Sequence, residues 1–387
     1  MHIDPLPPLS LYVHLPWCVR KCPYCDFNSH TVRGTLPEAR YVDALLSDLG
    51  VDATLVAPRL VQTIFFGGGT PSLFHAESIA RLLTGIRERV ALAEDAEITL
   101  EANPGTVELD RFRGFRQAGI NRLSIGIQSF DDNKLQALGR IHGRTEALAA
   151  ADAARTAGFE NFNLDLMYGL PEQDAEQALA DITTAIAQQP THLSAYELTV
   201  EPNTQFYRAP PTLPDEQAIG AIQETVGRTL ADHGYVQYEV SAYARTGYEC
   251  RHNRGYWEFG DYLGIGAGAH AKISRSDGVM RIAKTRHPDA YLRDAGTGSV
   301  RTEERRLSPD DLVGEFMLNA LRLQGGVSVE LFAARTGLSV DQIERPRLTA
   351  QKKGLLAEDG ANLRATELGR RFLNDLIALF LPERRKI

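Results

Sequence analysis

The sequence predicts an α/β protein whose core is a partial parallel (β/α)6 barrel, followed by a smaller C-terminal helical, winged-helix-like module. Short apolar and β-branched runs alternate with longer helical patterns between residues 11 and 199. The alternation fades after Glu201, where prolines and polar residues follow. From about Ser308 the pattern becomes helix, helix and a hairpin, which indicates a separate module.

Six segments have the composition of buried strands. In order they are residues 11–16 (LYVHLP), 61–69 (VQTIFFGGG), 97–104 (EITLEANP), 122–129 (RLSIGIQS), 162–169 (FNLDLMYG) and 192–199 (HLSAYELT). Amphipathic segments lie between them, with apolar residues three and four positions apart, and they often close with glycine. Because parallel barrels carry their chemistry at the carboxyl ends of the strands, polar and glycine residues at those ends are candidate ligands.

The pattern divides the chain into a core (residues 1–235), an extension (236–305) and a winged-helix-like domain (306–387). The last domain ends in the hairpin-like KKGLLAEDGANLRATELG and has a layout common in DNA readers. A net charge of −8 argues against a nucleic-acid partner, so we interpret this domain as a structural or docking module.

The cysteine content and the N-terminus favour a cytoplasmic protein. Four cysteines among 387 residues do not form a secreted disulfide framework, and the first residues lack the basic and apolar regions of a signal peptide. The final segment, LNDLIALFLPERRKI, combines an apolar helix face with a basic end. We expect a core-facing helix and keep peripheral membrane contact as the alternative.

A cysteine-rich loop follows the first predicted strand. Cys18, Cys22 and Cys25 give the spacing C-x3-C-x2-C, and three thiolates can hold a four-iron cluster while leaving one iron open. Two alternatives are a zinc site completed by His14 or His30 and a glutaredoxin-type dithiol at CPYC. A dithiol needs only two cysteines, so the third favours the cluster.

This spacing, with Tyr24 before the last cysteine, resembles the radical S-adenosylmethionine (SAM) superfamily. In that superfamily SAM binds the open iron through its amino and carboxylate groups, and an electron from the cluster releases a 5'-deoxyadenosyl radical. The resemblance implies a [4Fe-4S] cluster and SAM as cofactors, and an electron donor as a partner. The segment FFGGGTPS is similar to the part of the family that binds the methionyl amino group, which implies roles for Gly68, Gly69 and Thr70.

The same resemblance extends to the coproporphyrinogen-oxidase-like branch, which places SAM contacts on successive strand ends. The resemblance implies residues that bind the ribose, the adenine and the carboxylate of SAM. It also implies one residue that lies near the cluster. The implied residues are Glu101, Gln128, Arg140, Asp165, Thr199, Tyr12 and Tyr24.

The branch contains an oxygen-independent coproporphyrinogen III dehydrogenase, which typically has a fourth cysteine two positions after the third. Here that position is Phe27, and the first strand begins at about residue 10, without that enzyme's N-terminal extension. Both departures disfavour the decarboxylase, which we keep as an alternative.

The segment ECRHNRGYW resembles the H-N-x-x-Y-W segment of HemW-type haem chaperones. The resemblance implies a haem contact for His252, with Cys250, Asn253, Tyr256 and Trp257 as neighbours. An imidazole can ligate haem iron, and flat aromatic rings suit a porphyrin face. From the residues alone, a capped turn and core aromatics are the preferred explanation of the segment, and the family resemblance reverses that preference.

We therefore expect a chaperone that binds haem and transfers it to an acceptor protein, membrane-associated acceptors included. The alternatives are the decarboxylase and a cluster-bearing electron-transfer protein without a haem role. The sequence leaves open whether the protein forms a homodimer.

Overall fold

The computed structural model describes residues 2–105 and 109–382. The strands in this part of the chain are β1 (Leu9–Leu15), β2 (Trp17–Cys18), β3 (His30–Thr31), β4 (Val61–Gly68), β5 (Leu92–Ala102), β6 (Arg122–Gln128), β7 (Asn161–Tyr168), β8 (His192–Glu197), β9 (Val236–Gln237), β10 (Ala242–Ala244), β11 (Asp261–Ile265), β12 (His270–Arg275), β13 (Gly278–Lys284), β14 (Arg301–Arg306), β15 (Val327–Ser328) and β16 (Asn362–Leu363).

The α-helices are α1 (Glu38–Asp52), α2 (Ala76–Arg87), α3 (Leu109–Ala118), α4 (Asp132–Ala137), α5 (Arg144–Thr156), α6 (Ala175–Ala187), α7 (Gln205–Arg208), α8 (Glu216–Asp232), α9 (Arg251–Trp257), α10 (Pro288–Asp294), α11 (Pro309–Ala320), α12 (Val329–Thr336), α13 (Asp341–Lys352), α14 (Glu367–Arg371) and α15 (Leu373–Ala378). Short 3-10 turns cover Ala53–Leu55 and Pro71–Leu73.

The six predicted strands form a continuous parallel array in the order β1-β4-β5-β6-β7-β8. They are rich in buried aliphatic residues, and all seven residues of β6 are buried. Such near-continuous apolar runs are typical of parallel strands that are covered on both faces. The array brings the carboxyl ends of all six strands to one end of the sheet, as the sequence predicts.

The segment that the sequence assigns to an extension lengthens this same sheet at both edges. Strand β11 pairs in parallel with β1, and β12, β13 and β14 continue antiparallel from it. At the other edge β10 pairs antiparallel with β8, and β9 follows. The result is a 12-stranded mixed sheet among the described residues.

The C-terminal module has its own apolar core, built mainly from α11 to α15. Its strands β15 and β16 pair antiparallel, and Leu356 bridges Ala365 across the predicted hairpin. Leu376 and Ile377 of α15 are buried, so this helix faces the core as expected. The basic end of the chain, residues 383–387, lies outside the described residues. Within the described ranges, every helix is too short or too polar to cross a membrane.

Candidate cluster and cofactor site

The cysteine loop lies at the carboxyl end of β1 and is held by the short parallel pair of β2 and β3. Trp17 pairs with His30, and Cys18 pairs with Thr31. The thiols of Cys18, Cys22 and Cys25 are free and line one cavity at the strand ends. Burial raises the pKa of the Cys18 and Cys25 thiols.

The wall of this first cavity brings together most of the side chains that the sequence singles out. Besides the three cysteines it contains Tyr24, Gly68, Gly69, Thr70, Glu101, Gln128, Arg140 and Asp165. They come from positions far apart in the chain, and the parallel sheet aligns them at one end.

The glycine segment is pressed against the cysteine loop. Gly69 N–H donates to Leu15 O at 2.9 Å, and Thr70 N–H donates to Trp17 O at 2.7 Å. A Cβ on Gly69 would lie 2.5 Å from Trp17 O, and Gly68 has a φ of +118°. Both positions therefore require glycine, one for close backbone approach and one for its backbone conformation.

Two carboxyl groups face the cavity, one from β5 and one from β7, the strands on either side of β6. Glu101 accepts a hydrogen bond from Gly68 N–H at 3.1 Å, and Asp165 accepts from Ser124 Oγ at 3.0 Å and from Asn163 Nδ2 at 2.8 Å. Burial, together with the Asp165 charge, raises the pKa of Glu101 to about 8. Such a pair suits a ligand that offers hydroxyl groups and positive charge.

Arg140 crosses the floor of the cavity. Its Nη2 donates to Asn103 Oδ1 at 2.6 Å and to Gly126 O at 2.7 Å, and its Nη1 lies 3.7 Å from Cys22 Sγ. Its Nε is buried and has no hydrogen-bond partner in the described part of the chain. A buried donor without an acceptor indicates room for a ligand oxygen.

The wall also contains residues that were not predicted, among them Asn103, Ser124 and Tyr196. Asn103 follows β5, Ser124 lies within β6, and Tyr196 of β8 donates to Gln128 Oε1 at 2.7 Å. Asn103 carries a recognisable signal, a polar side chain at a strand end. Ser124 and Tyr196 are internal to strands, where the sequence alone does not tell which face each occupies.

Two predicted contacts lie elsewhere. Thr199 is exposed beyond the end of β8, with its hydroxyl 3.5 Å from Glu197 O, and it does not line the cavity. The side chain that β8 contributes is Tyr196. Tyr12 is half-buried, its hydroxyl lies 3.0 Å from His14 Nδ1, and it lines a neighbouring cavity.

The zinc alternative receives no support from His14, because both of its ring nitrogens are engaged. Nδ1 lies 3.0 Å from Tyr12 OH and Nε2 lies 2.9 Å from Asn28 O. His30 Nε2 lies 3.3 Å from Asn28 Oδ1. Within residues 2–105 and 109–382, no three His, Cys, Asp or Glu side chains are grouped to hold a single metal ion.

The haem candidate His252 is on α9, packed against the sheet. Its Nδ1 lies 2.7 Å from Thr63 Oγ1, its Nε2 lies 3.0 Å from Tyr256 OH, and its ring stacks on Phe65 at 5.1 Å. Burial, with the nearby Arg122 charge, lowers the pKa of His252 to about 3. The imidazole is therefore neutral, and in this conformation both of its nitrogens are engaged inside the protein.

The neighbours of His252 face different surroundings. Cys250 is buried with its Sγ 3.6 Å from Glu97, and Trp257 stacks under Arg322 at 4.4 Å beside the C-terminal core. Asn253 is half-buried. Of these candidates, Tyr256 is the one that lines a cavity.

That second cavity has a volume of about 560 Å³ and lies beside the first. Phe27, Gly68 and Glu101 line both cavities, so the two share a wall. The remaining lining residues are Tyr12, His14, Asn28, Tyr256, Tyr262, Gly268, His270, Ala283, Lys284, Arg286 and Thr302.

Comparison with known proteins agrees with this geometry. The radical SAM superfamily model matches residues 12–183, and the HemN C-terminal domain model matches residues 307–372. A protein of Escherichia coli K12 named heme chaperone HemW is 51% identical over 380 residues, covering 98% of this chain and 99% of that protein. The chain belongs to the HemW family. A Bacillus subtilis HemW is 33% identical over 380 residues, with 97% and 99% coverage.

The fold of this HemW-family chain matches a solved relative, the coproporphyrinogen III oxidase HemN of Escherichia coli, described as a radical SAM enzyme. The TM-score is 0.82 at 25% identity, over 97% of this chain and 90% of that one. The predicted family resemblance and the predicted fold are thus confirmed. Membership of the radical SAM superfamily implies a [4Fe-4S] cluster and SAM, and the first cavity offers suitable donors for both.

Proposed function

We propose that this protein is a haem chaperone that binds a [4Fe-4S] cluster, SAM and haem, and transfers haem to an acceptor protein. The observation that carries the proposal is near full-length identity of 51% with a protein named heme chaperone HemW. The first cavity supports its cofactor part, because three free thiols and a set of polar ligand groups line one space.

Cys18, Cys22 and Cys25 would hold the cluster, and the other polar groups of the same cavity would bind SAM. When bound, the cluster supplies one electron to SAM. The glycine segment brings backbone close to the ligand, and Arg140 offers its unpaired buried Nε to a carboxylate.

The remaining polar groups of the wall orient the nucleoside part of SAM. Glu101 and Asp165 accept hydrogen bonds from hydroxyl groups, and Gln128 contributes an amide held by Tyr196. Tyr24 covers the site from the cysteine loop, and Thr70 extends the glycine segment. Each of these groups is on a strand or a loop whose backbone is fixed by the sheet.

The haem part has two candidate arrangements. An axial role for His252 requires its ring to leave Thr63 or Tyr256, since both nitrogens are engaged. Cys250 is a rival ligand whose burial raises its pKa to about 12 and opposes a thiolate. Asn253 and Trp257 would then act as neighbours that shape the surroundings rather than as ligands.

The coproporphyrinogen decarboxylase is the second candidate function, favoured by the structural match to HemN. Phe27 opposes it, because it occupies the position that carries a fourth cysteine in that enzyme's pattern and is 63% exposed at the cavity rim. The third candidate is an electron-transfer protein without a haem role. We also propose that the protein is cytoplasmic and forms a homodimer. Its partners would be an electron donor and a haem acceptor that is either soluble or membrane-associated.

The test is anaerobic reconstitution of the cluster, followed by three measurements on the same sample. SAM should change the EPR signal of the reduced cluster, haem should bind with a Soret band, and coproporphyrinogen III should be returned without decarboxylation. Decarboxylated product would identify the enzyme instead. Failure to bind haem, with a SAM-responsive cluster, would leave the electron-transfer protein.

A further inference from the structure

The cluster and SAM are both assigned to the first cavity, so the second cavity has no assigned ligand. Its volume of about 560 Å³ falls within the range of about 300–1,000 Å³ that is typical of sites for organic ligands. Phe27, Gly68 and Glu101 separate it from the first cavity. A ligand there would lie next to the SAM site without competing for it.

The imidazole of His270 lines this second cavity. His270, at the start of β12, is exposed, and neither of its ring nitrogens makes a hydrogen bond to another described residue. His14 also lines the cavity, but its nitrogens are taken by Tyr12 and Asn28. His270 is therefore the lining histidine whose nitrogens are free to bind a metal centre.

The rest of the wall suits a flat, largely apolar ligand with acidic substituents. Phe27 exposes 63% of its surface at the rim, and the rings of Tyr256 and Tyr262 pack edge to face at 4.6 Å in the wall. Arg286 is exposed at the same cavity and makes no ion pair with another described residue. Lys284, by contrast, is bound to Asp48 and Asp52. A guanidinium without a partner is suited to a carboxylate.

The segment around His252 is connected to this cavity through one hydrogen bond. His252 Nε2 lies 3.0 Å from Tyr256 OH, and Tyr256 forms part of the cavity wall. His252 is buried behind that ring, so it can fix the position of the phenol without touching a ligand in the cavity. This gives the H-N-x-x-Y-W segment a positioning role.

We propose that the second cavity is the haem site, with His270 as the axial ligand, Phe27 against the porphyrin face, Arg286 at a propionate, and His252 as a positioning residue that acts through Tyr256. This inference rests on the proposed haem-chaperone function. It assigns the site, the ligand and the orientation of haem relative to SAM.

The test is titration of ferric haem into the full-length, cluster-reconstituted protein, recorded as a difference spectrum against the same protein without haem. His270→Ala should shift the Soret band and weaken binding at least tenfold, and added imidazole should restore the band position. His287→Ala is the matched control, because His287 is an exposed histidine nearby that does not line the cavity. It should bind haem as the native protein does.

The positioning role makes a separate forecast. His252→Ala and Tyr256→Phe should each weaken haem binding several-fold and leave the Soret band position unchanged, and imidazole should not change either variant. Arg286→Ala should weaken binding of haem more than binding of haem dimethyl ester. Circular dichroism and iron content verify that each variant is folded and carries its cluster.

The outcomes separate this inference from the function on which it rests. A native protein that binds no haem overturns both. If the native protein binds haem and His270→Ala retains the native band and affinity, the function stands and the site is overturned. Loss of the band in His252→Ala, rescued by imidazole, would identify His252 as the ligand instead.

Discussion

The cysteine loop and the segment Cys250–Trp257 both carry potential metal ligands, yet the fold treats them differently. The loop is at the end of β1, and all three of its thiols face one cavity. The helix α9 lies against the sheet, and its histidine is enclosed. Three ligands close together in one loop restrict each other's direction, whereas the four-residue spacing of His252 and Tyr256 shows only that they share a helix face. Which way that face points is a tertiary property.

The largest effect that follows from this comparison is loss of the cluster from any single cysteine variant. Cys18→Ser, Cys22→Ser or Cys25→Ser leaves two thiolates, and two do not hold a four-iron cube. Iron and sulfide per chain should fall close to zero after anaerobic reconstitution. Cys250→Ser is the matched control and should keep full content, since Cys250 is buried beside Glu97 outside the first cavity. Full content in the Cys18→Ser variant would restore the dithiol interpretation.

The next effect tests the contact between the cysteine loop and the glycine segment. In Gly69→Ala the new methyl group would lie 2.5 Å from Trp17 O, so one of the two backbones has to move. We expect the change in the cluster EPR signal on adding SAM to need at least tenfold more SAM. Gly220→Ala is the control, because a Cβ there meets nothing within 4 Å. An unchanged SAM titration for Gly69→Ala would show that this approach is not needed for binding.

Much of the fold could be predicted because the six parallel strands are apolar runs with a clear period. The strands β12 and β13, which lie inside β14 at one end of the sheet, were not predicted, and their buried lysines explain why. Lys272 is buried and bound to Asp261 at 2.8 Å, and Lys284 is buried between two aspartates. A lysine in a strand interrupts the apolar pattern that marks a buried strand in the sequence. Here each lysine is buried because it pairs with an aspartate distant in sequence, which the local pattern does not show.

The candidate site shows the same limit. It could be predicted that the cysteines and most of the strand-end candidates share one cavity, because a parallel sheet places strand ends together. Thr199 stays a predicted SAM contact but does not line the first cavity, since β8 ends at Glu197 and the side chain that β8 contributes to the wall is Tyr196. His270 had no local signal, because its role depends on β12 lying beside β11 at the edge of the cavity.

The enclosed state of His252 predicts a smaller, measurable effect on stability. His252→Ala removes a stacked ring and leaves Thr63 and Tyr256 without their partner, so we expect a loss of about 2–4 kcal/mol in the free energy of unfolding. His270→Ala is the matched variant and should change it by no more than about 0.5 kcal/mol, since its side chain is exposed. Urea denaturation of both variants without cofactors measures the difference. Equal stabilities would contradict the enclosed position of His252.

A pH-dependent effect on stability concerns Glu101, in the wall that the two cavities share. Burial and the Asp165 charge raise its pKa from 4.5 to about 8 in the folded protein, while the Gly68 N–H opposes the shift. Between these values the unfolded chain has released the proton and the folded chain still holds it, so the contribution of Glu101 to stability falls as pH rises. In Glu101→Gln this contribution is absent, because the amide does not titrate.

The unfolding free energy of the native protein minus that of Glu101→Gln should therefore decrease from pH 5 to pH 8. Above pH 8 this difference should be constant. Subtracting the variant removes the titration of all other groups, provided that they are unchanged. A pH-independent difference for Glu101→Gln would mean that Glu101 is ionised in the folded protein, and that the wall between the two cavities carries a negative charge before any ligand binds.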